Sequence, residues 1–319
     1  MIDWDDLRFV LAVSRSGSAL GAARAIGVDQ TTVVRRLARL EAAIAAKLLE
    51  HRQRGHGLTA LGERFAVVAE RLEREVAALE NAIGSERRRL TESVRLTTSE
   101  ALANSVVAPF LRKLWRRHPR ITIELIVSDR KFDVAGGEAD LAIRGGSRPT
   151  GTGIVARRLP DVAWAVYCGS SYVQEHGVPN TVAALNDHMV VGPEGAMAAF
   201  PGAMWLGRVA SRAKISARSN SLTNLAQAVK AGSGVAVLPC ILADSDAAFV
   251  RCTPPITELD AEMWLIVRQA SKRVPHVRAV VDLLVEHVEA MRADLAGARG
   301  RRRADRKRKR PRAVQVDSG

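Results

Sequence analysis

The sequence predicts a multi-domain protein with an all-α N-terminal domain, a long linker helix, an α/β domain and a disordered basic C-terminal tail. Three observations predict this order. Short helical patterns punctuated by glycine open the chain, a narrow apolar seam occupies residues 61–83, and strands alternate with helices from residue 93 onward. With 319 residues, 47% hydrophobic and 26% charged, the chain has the composition of a globular protein of about two domains.

The N-terminal segment predicts three short helices. Asp3 is placed to begin the first helix and Gly17 to end it. Ser18 can cap a second helix that stops at Gly27, and a third helix begins near Gln30. A helix, a glycine turn and a second helix form a moderate signal of DNA binding. The alternative at this point is a pair of ordinary packed helices.

Polar side chains open the third helix, where its N-terminus would enter a major groove. Basic residues, which include Arg36, flank this helix as phosphate contacts require. We favour Gln30 and Thr32 for base edges, and Arg35, Arg52 and Arg54 for the DNA backbone. Asp29 has two interpretations: the favoured one is a helix N-cap, and the other is a carboxylate that accepts from a cytosine amino group. The predicted DNA-binding set is Asp29, Gln30, Thr31, Thr32, Arg35, Arg52, Arg54 and, more weakly, His56.

Residues 50–59 predict a tight, exposed, basic loop or hairpin, and Thr59 then caps a long helix. A narrow apolar seam flanked by Glu and Arg is typical of a helix that pairs with its copy in a second subunit. We expect Gly84 and the polar residues after it to end this helix and form a hinge. The predicted dimer interface is Leu61, Phe65, Val68, Leu72, Val76, Leu79 and Ile83.

The remaining pattern predicts a mainly parallel sheet, with a last helix from about Pro275 to Arg292. Ligands of such sheets bind beyond the carboxyl ends of strands, where helix N-termini offer free N–H groups. Arg144 could pair with a carboxylate ligand, but Glu100 at the same rim would repel an anion unless it pairs with Arg144; Ser99 and Ser221 could also be helix caps only. The candidate ligand contacts are Thr98, Ser99, Glu100, Ser128, Arg144, Asn220 and Ser221.

Charge is concentrated at the C-terminus. The net charge is +14, and residues 299–319 contribute ten Lys or Arg against two Asp. This tail has no periodicity, which predicts disorder. It is either an inert solvated extension or a segment attracted to DNA in a salt-dependent manner.

Several classes of protein and site are excluded. No apolar stretch approaches the ~20 residues of a membrane span, and the acidic start is unlike a secretory signal, so we expect a cytoplasmic protein. No nucleophile elbow, P-loop, dinucleotide or zinc motif is present, which predicts no enzyme activity, cofactor or metal. Cys168, Cys240 and Cys252 are widely spaced and predict buried thiols, a redox pair of Cys240 and Cys252 being the alternative.

The helices and the basic loop described above make the first 62 residues resemble the winged helix-turn-helix of LysR-type transcriptional regulators. Where the family usually has serine or proline in the turn, this chain has Asp29, Thr31 and Val34, which suggests an altered operator. Its L-F-x-R pattern appears here as residues 48–51. The matching residues are Leu7, Phe9, Val13, Gly17, Ser18, Ala22, Ala23, Ala25, Gln30, Val33, Arg35, Leu37, Leu40, Glu41, Leu48, Leu58, Thr59 and Gly62.

The rest of the chain before the tail is also similar to this family. Residues 136–146, GGEADLAIRGG, match its G-E-x-D-x-A-I signature. Residues 106–125 and 220–240 are similar to its helix and strand segments. The resemblance implies an effector domain like a periplasmic binding protein, with lobe one at about 93–160 plus 268–292 and lobe two between them.

The resulting expectation is a winged helix-turn-helix DNA-binding domain (1–59), a linker and dimerisation helix with a hinge (60–92), a two-lobed α/β effector-binding domain (93–295) and the disordered tail (296–319). The function implied is sequence-specific transcription regulation by a homodimer or homotetramer, on double-stranded DNA with an imperfect palindrome. A small-molecule effector would modulate it, and an activator would also contact RNA polymerase. The alternatives are an architectural DNA-binding protein without effector control and an enzyme acting on a small metabolite. Effector identity, target genes and the sign of regulation stay open.

Overall fold

The computed structural model describes residues 2–52, 55–130 and 132–298. The chain divides into two compact units at Gly84 and Ser85. A 3₁₀ turn, Trp4–Asp6, opens the first unit. Its further elements are α1 (Leu7–Ser16), α2 (Ala19–Ile26), α3 (Gln30–Ile44), β1 (Leu49–Arg52), β2 (Gly55–Leu58) and α4 (Ala60–Leu90), the end of which belongs to the second unit.

The predicted helix boundaries of the first unit are confirmed, and local chemistry explains them. Asp3 Oδ1 accepts the Asp5 N–H at 3.1 Å, and Ser18 Oγ accepts the Gly21 N–H at 3.0 Å. Gly17 and Gly27 end α1 and α2 with φ of 71° and 78°. These left-handed conformations are cheap only for glycine.

The core of the first unit lies between α1, α2 and α3. Ala22 and Ala23 are buried, so α2 can approach its neighbours closely. Ala66 and Ala69 of α4 are buried in the same core, with Leu61 and Phe65 packed against it. The first turns of α4 are therefore part of this unit. The large buried side chains come from α1, from α3 and from the residues in and next to the hairpin: Phe9, Leu11, Leu37, Leu40, Leu48 and Leu58.

The predicted end of α4 at Gly84 is wrong, because the helix continues to Leu90. One glycine inside a helix costs about 1 kcal/mol. A contact far along the sequence opposes this cost: Arg88, in the last turn, is buried and donates from Nε to Asp140 Oδ2 at 3.0 Å. The tertiary contact thus carries the helix past the residue that was predicted to break it.

The second unit contains two five-stranded sheets. Its first part comprises β3 (Ser93–Thr98), α5 (Glu100–Leu102), a π-helical segment (Ala103–Val107), α6 (Ala108–Arg117), β4 (Thr122–Val127), β5 (Leu141–Gly145) and β6 (Ile154–Val162). Next come β7 (Trp164–Gly169), α7 (Ser170–His176), β8 (Met189–Pro193), α8 (Pro201–Val209), β9 (Lys214–Ser219), α9 (Leu222–Lys230), β10 (Val235–Pro239), α10 (Cys240–Ala243) and β11 (Phe249–Arg251). The last elements are β12 (Ala261–Arg268), α11 (Pro275–Ala290) and α12 (Arg292–Leu295).

Both sheets are mixed, so the prediction of mainly parallel pairing is only partly right. In lobe one the strand order is β4-β3-β5-β12-β6, with β3 parallel to β4 and β5, and β12 antiparallel to β5 and β6. In lobe two the order is β11-β7-β10-β8-β9, with β7 antiparallel to β10 and β11. The antiparallel strands are those by which the chain passes between the lobes.

Two predicted boundaries move. Lobe one resumes at Ala261 and not at residue 268, because the whole of β12 pairs within its sheet. The predicted tail also starts too early, since Arg251 Nη2 donates to the Gly297 carbonyl at 2.8 Å. Residues 299–319, the remainder of the predicted disordered tail, lie outside the described residues. Within the described ranges, none of the helices is both long and apolar enough to cross a membrane.

Glu41 ties the end of α3 to the hairpin. Its buried carboxylate accepts the N–H groups of Leu48 at 2.8 Å and Leu49 at 3.0 Å, and the Lys47 ammonium at 2.7 Å. Burial raises the pKa of Glu41, but the hydrogen bonds from Lys47, Leu49 and Leu48 together lower it below its ordinary value of 4.5. The charged form is therefore the one that the fold stabilises.

We expect Glu41→Ala to destabilise the first unit by about 2 kcal/mol, because two backbone N–H groups lose their acceptor. Glu41→Gln, which keeps one oxygen acceptor, should cost less. Since the folded-state pKa is lowered, the carboxylate stabilises the fold above pH 4.5 and this contribution is lost as the pH falls through the folded pKa. Hydrogen exchange at the Leu48 and Leu49 amides measures the effect, and equal protection in Glu41→Ala and the parent would contradict it.

Candidate nucleic-acid interface and ligand cleft

The N-terminus of α3 is an exposed polar surface. Asp29, Gln30 and Thr31 are exposed and Thr32 is half-buried. Asp29 occupies the N-cap position, and its carbonyl accepts the N–H groups of Thr32 at 3.0 Å and Val33 at 3.3 Å. Its carboxylate, however, accepts no capping hydrogen bond from a described residue. The favoured N-cap interpretation is thus right for the backbone and unsupported for the side chain.

The arginines of α3 differ in their partners. Arg36 Nη1 donates to Asp6 Oδ1 at 3.1 Å, and its guanidinium lies 5.6 Å from the Phe9 ring centroid. Arg39 makes ion pairs with the same buried Asp6 and with Asp3. Arg35 is exposed and has neither an ion pair nor a side-chain hydrogen bond with any residue that the structure describes. Of these three cations, Arg35 is the one whose charge is uncompensated.

The predicted basic loop forms a hairpin. Strands β1 and β2 pair antiparallel, with His51 opposite His56 and Arg52 opposite Gly55. The backbone therefore places Arg52 and His56 near the end of the hairpin. Arg54 lies outside the described residues. All three stay predictions as DNA contacts.

The structure separates the predicted seam of α4 into two parts. Leu61 and Phe65 pack against the core of the first unit, as described above. Arg15 fixes this part of the helix further, donating to Glu73 Oε2 at 2.6 Å and Oε1 at 3.1 Å. The remaining five apolar side chains are exposed, with fractions of 53%, 37%, 41%, 63% and 57%: Val68, Leu72, Val76, Leu79 and Ile83. We name these five the exposed seam.

The ends of α5 and α9 meet across the cleft between the two lobes of the second unit. Ser221 Oγ, in lobe two, donates to Glu100 Oε2, in lobe one, at 3.5 Å. Ser221 also caps α9 by accepting the Asn224 N–H at 3.3 Å. Ser99 occupies the N-cap position of α5, but its hydroxyl makes no hydrogen bond with the described part of the chain. Asn220, the residue before Ser221, is exposed. The structure thus brings the starts of α5 and α9 together, and their role in ligand binding stays a prediction.

The Arg144 side chain forms its hydrogen bonds with groups of lobe one itself. Its guanidinium donates to the carbonyls of Ser128 at 2.6 Å and Arg130 at 3.3 Å, and to Thr97 Oγ1 at 2.8 Å. Burial lowers its pKa. No pair between Arg144 and Glu100 forms among the described contacts. Sequence reasoning missed Thr97, which is buried next to the end of β3 and carries no polar pattern that would distinguish it.

Two further residues of the predicted ligand set, Thr98 and Ser128, also have structural partners. Thr98 is fully buried, and its hydroxyl donates to the Ile143 carbonyl at 2.9 Å, so the structure does not bring this side chain to the cleft. Ser128 Oγ accepts the Arg130 N–H at 3.1 Å and thereby closes the turn after β4. Among the described residues, the side chains of the predicted set without a hydrogen-bond partner are Ser99 and Asn220, which lie at the starts of α5 and α9.

Two family models match the chain over most of its length. Residues 4–63 match the model described as bacterial regulatory helix-turn-helix protein, lysR family, and residues 87–289 match the LysR substrate binding domain. The Mau operon transcriptional activator of Paracoccus denitrificans is 30% identical over 300 residues, which are 92% of this chain and 96% of that protein.

Two further comparisons agree. An HTH-type transcriptional regulator of Xanthomonas campestris pv. campestris (strain 8004) is 32% identical over 177 residues, 56% of this chain and 51% of that protein. The crystal structure of full-length CbnR with its target DNA has a TM-score of 0.51 at 19% identity, covering 91% of this chain and 99% of that chain. This last likeness shows the fold.

We expect Leu79→Glu to weaken self-association of the full chain by about 100-fold or more, because a symmetric interface would lose two buried leucines and gain two buried charges. Val67→Glu is the matched control, since Val67 lies on the same helix, is 66% exposed and is not part of the seam. Sedimentation equilibrium measures both. Equal dissociation constants for the two variants would show that the exposed seam is not the interface.

Proposed function

The chain belongs to the LysR family of bacterial transcriptional regulators. On that basis, and from the geometry above, we propose that a dimer of this chain binds an operator through two recognition helices, one from each protomer, and that a small ligand controls this binding. Members of this family bind DNA and oligomerise, and they are regulators rather than enzymes. The observation that carries the proposal for this chain is the exposed N-terminus of α3 beside the uncompensated charge of Arg35.

On this proposal α3 enters the major groove with its N-terminus first. Gln30 and Thr32, with Thr31 between them, are placed to meet base edges, since amide and hydroxyl groups can donate and accept there. Arg35 meets the backbone, and Arg52, Arg54 and His56 of the hairpin contact phosphates beside the groove. The pairing of Arg36 with Asp6 supports its omission from the contact set.

Asp29 is proposed to face the DNA. Its carboxylate is exposed and uncapped by the described residues, which leaves its acceptor oxygens available. A carboxylate at this place can accept from a cytosine amino group and disfavours a nearby phosphate. The operator preference of this chain should therefore differ from that of relatives with serine at the turn.

The exposed seam supports a dimer. The five apolar side chains along one face of α4 are removed from water only when another apolar surface packs against them, and a second α4 offers the same surface. Two recognition helices related by a two-fold axis fit half-sites about 34–36 Å apart, which is an imperfect palindrome. Assembly of two such dimers into a tetramer, and contact with RNA polymerase in the case of an activator, complete the proposal.

The cleft between the lobes is proposed to hold the small-molecule effector. Ser99, Glu100, Asn220 and Ser221 supply its polar groups, and Arg144 holds the wall behind them. The Arg144 donors recorded in the structure go to neutral acceptors, whereas the Glu100 carboxylate contacts only a hydroxyl among the described residues. This arrangement favours an effector that donates hydrogen bonds over one recognised by its own carboxylate.

Arg35→Gln should weaken binding to operator and to unrelated DNA alike, because a phosphate contact carries no sequence information. Loss of one contact from each protomer of a dimer should make the slope of log Kobs against log salt shallower by about 2. Fluorescence anisotropy over a salt series measures the slope.

Arg36→Gln is the matched control for this experiment. It removes the same charge one residue further on, and the buried Asp6 keeps its ion pair with Arg39. Its salt slope should equal that of the parent. If the two variants change the slope to the same extent, the distinction between Arg35 and Arg36 is wrong.

For the effector, we expect Ser99→Ala to weaken the binding of a stabilising compound by about 3- to 10-fold, the value of one hydrogen bond. The hydroxyl makes no cap bond within the described chain, so the substitution should cost little stability. A thermal-shift screen of amino acids, amines and sugars supplies the compound. Ser245→Ala, an exposed serine elsewhere on lobe two, is the control, and unchanged affinity in Ser99→Ala would contradict the site.

A further inference from the structure

Two cysteines that are far apart in the sequence lie side by side in lobe two. Cys168 belongs to β7, and Cys252 directly follows β11, which pairs antiparallel with β7. Val250 is opposite Cys168, and the Cys252 N–H donates to the Val166 carbonyl at 2.8 Å. The pairing continues past β11 and brings both side chains to one face of the sheet, with the two Sγ atoms 3.3 Å apart.

The third cysteine lies on the other face of the same sheet. Cys240 packs in the core cluster that contains Tyr167, whereas Cys168 packs in the cluster that contains Val166 and Tyr172. The Cys240 sulfur is beside Gly297. The alternative raised from the sequence, a redox pair of Cys240 and Cys252, is therefore wrong in its choice of partner.

The two cysteines differ in burial as whole residues. Cys168 is fully buried, whereas Cys252 is half-buried at the edge of the sheet. A small oxidant from solvent therefore has the shorter path to Cys252, whose sulfur is in contact with that of Cys168. A reactive thiol with a second thiol in contact is the arrangement that favours a disulfide over further oxidation.

We propose that Cys168 and Cys252 form a reversible intramolecular disulfide when the protein meets hydrogen peroxide. The Cys252 thiolate attacks one peroxide oxygen, so that an S–O bond forms, the O–O bond breaks, and the leaving oxygen takes the proton released by the thiol and departs as water. Cys168 then attacks the sulfenic sulfur of Cys252. An S–S bond forms, the S–O bond breaks, and the Cys168 proton leaves with the hydroxide as a second water.

The hydrogen bond between the sulfurs orders these two steps. Donation from Cys252 to Cys168, together with burial, raises the pKa of Cys252. The same hydrogen bond lowers the pKa of Cys168 and outweighs the opposing effect of burial. The first step is therefore slow at neutral pH and accelerates as the pH rises.

The disulfide would constrain the edge strand β11 of lobe two. Closing the sulfurs from 3.3 Å to about 2.05 Å joins the edge strand β11 to β7. The neighbouring Arg251 holds Asp244 and the Gly297 carbonyl. Oxidation would thus fasten the strand that anchors the end of the described chain, and the cysteine pair shares no residue with the proposed DNA-binding or effector contacts.

The experiment treats the full-length reduced protein with hydrogen peroxide, alkylates it with N-ethylmaleimide in denaturant and measures the intact mass. We expect alkylatable thiols to fall from three to one, a peptide in which Cys168 is linked to Cys252, and full recovery with dithiothreitol. The initial rate should rise about tenfold for each pH unit near neutrality, since only the thiolate reacts.

Cys240→Ala is the matched control and should lose both remaining thiols at the parent rate. Cys168→Ser should give Cys252 sulfenic or sulfinic acid and no intramolecular link. The proposal is overturned if Cys240→Ala keeps both thiols in peroxide, if the link joins two chains, or if Cys252 is oxidised while Cys168 stays alkylatable.

Discussion

The buried carboxylate of Asp140 is the interaction on which the second unit and the end of the linker helix depend. Its two oxygens accept from Arg88 Nε, from the Arg95 N–H and from Ser271 Oγ, each at 3.0 Å. A helix, a strand and the segment after β12 therefore converge on one side chain. Removing one partner of such a buried pair typically costs about 3–5 kcal/mol, because a charge stays behind without compensation. The last turn of α4 is thus joined to lobe one through a buried ion pair.

Elements with local signals could be predicted from the sequence, and those determined by distant contacts could not. Gly17, Ser18 and Gly27 act within a few residues, so the end of α1 and both ends of α2 were correct. Asp3 was also correctly expected to cap, but the turn that it opens is the 3₁₀ turn ahead of α1. The continuation of α4 past Gly84 depends on Arg88 and its partner in another element, a contact that leaves no local pattern. The mixed sheets escaped prediction for the same reason, since strand direction follows from the path of the chain between the lobes.

The functional-site residues show the same division between local signals and distant contacts. The polar start of α3 was evident from residue types, but the difference between Arg35 and Arg36 arises only when α1 packs against α3 and brings Asp6 to one of them. Arg144 was expected at the cleft, yet its donors hold neighbouring carbonyls, which no spacing reveals. The contact between Cys168 and Cys252 was likewise missed, because it depends on the pairing of β7 with β11 and joins residues 84 positions apart. Sequence chemistry identifies candidates, and packing decides which of them are free to act.

The pairing of β6 with β12 brings the two ends of lobe two together in the sheet of lobe one. Val162 and Ala261, the residues that lead into and out of that lobe, are opposite each other in the sheet of lobe one. Lobe two is therefore an insertion whose two ends leave from one point, and a short hairpin turn between Val162 and Ala261 would close the lobe-one sheet without it. Recombination at this point could exchange one wall of the cleft and retain α3, α4 and the Asp140 contacts. A new ligand specificity could then arise on an unchanged operator.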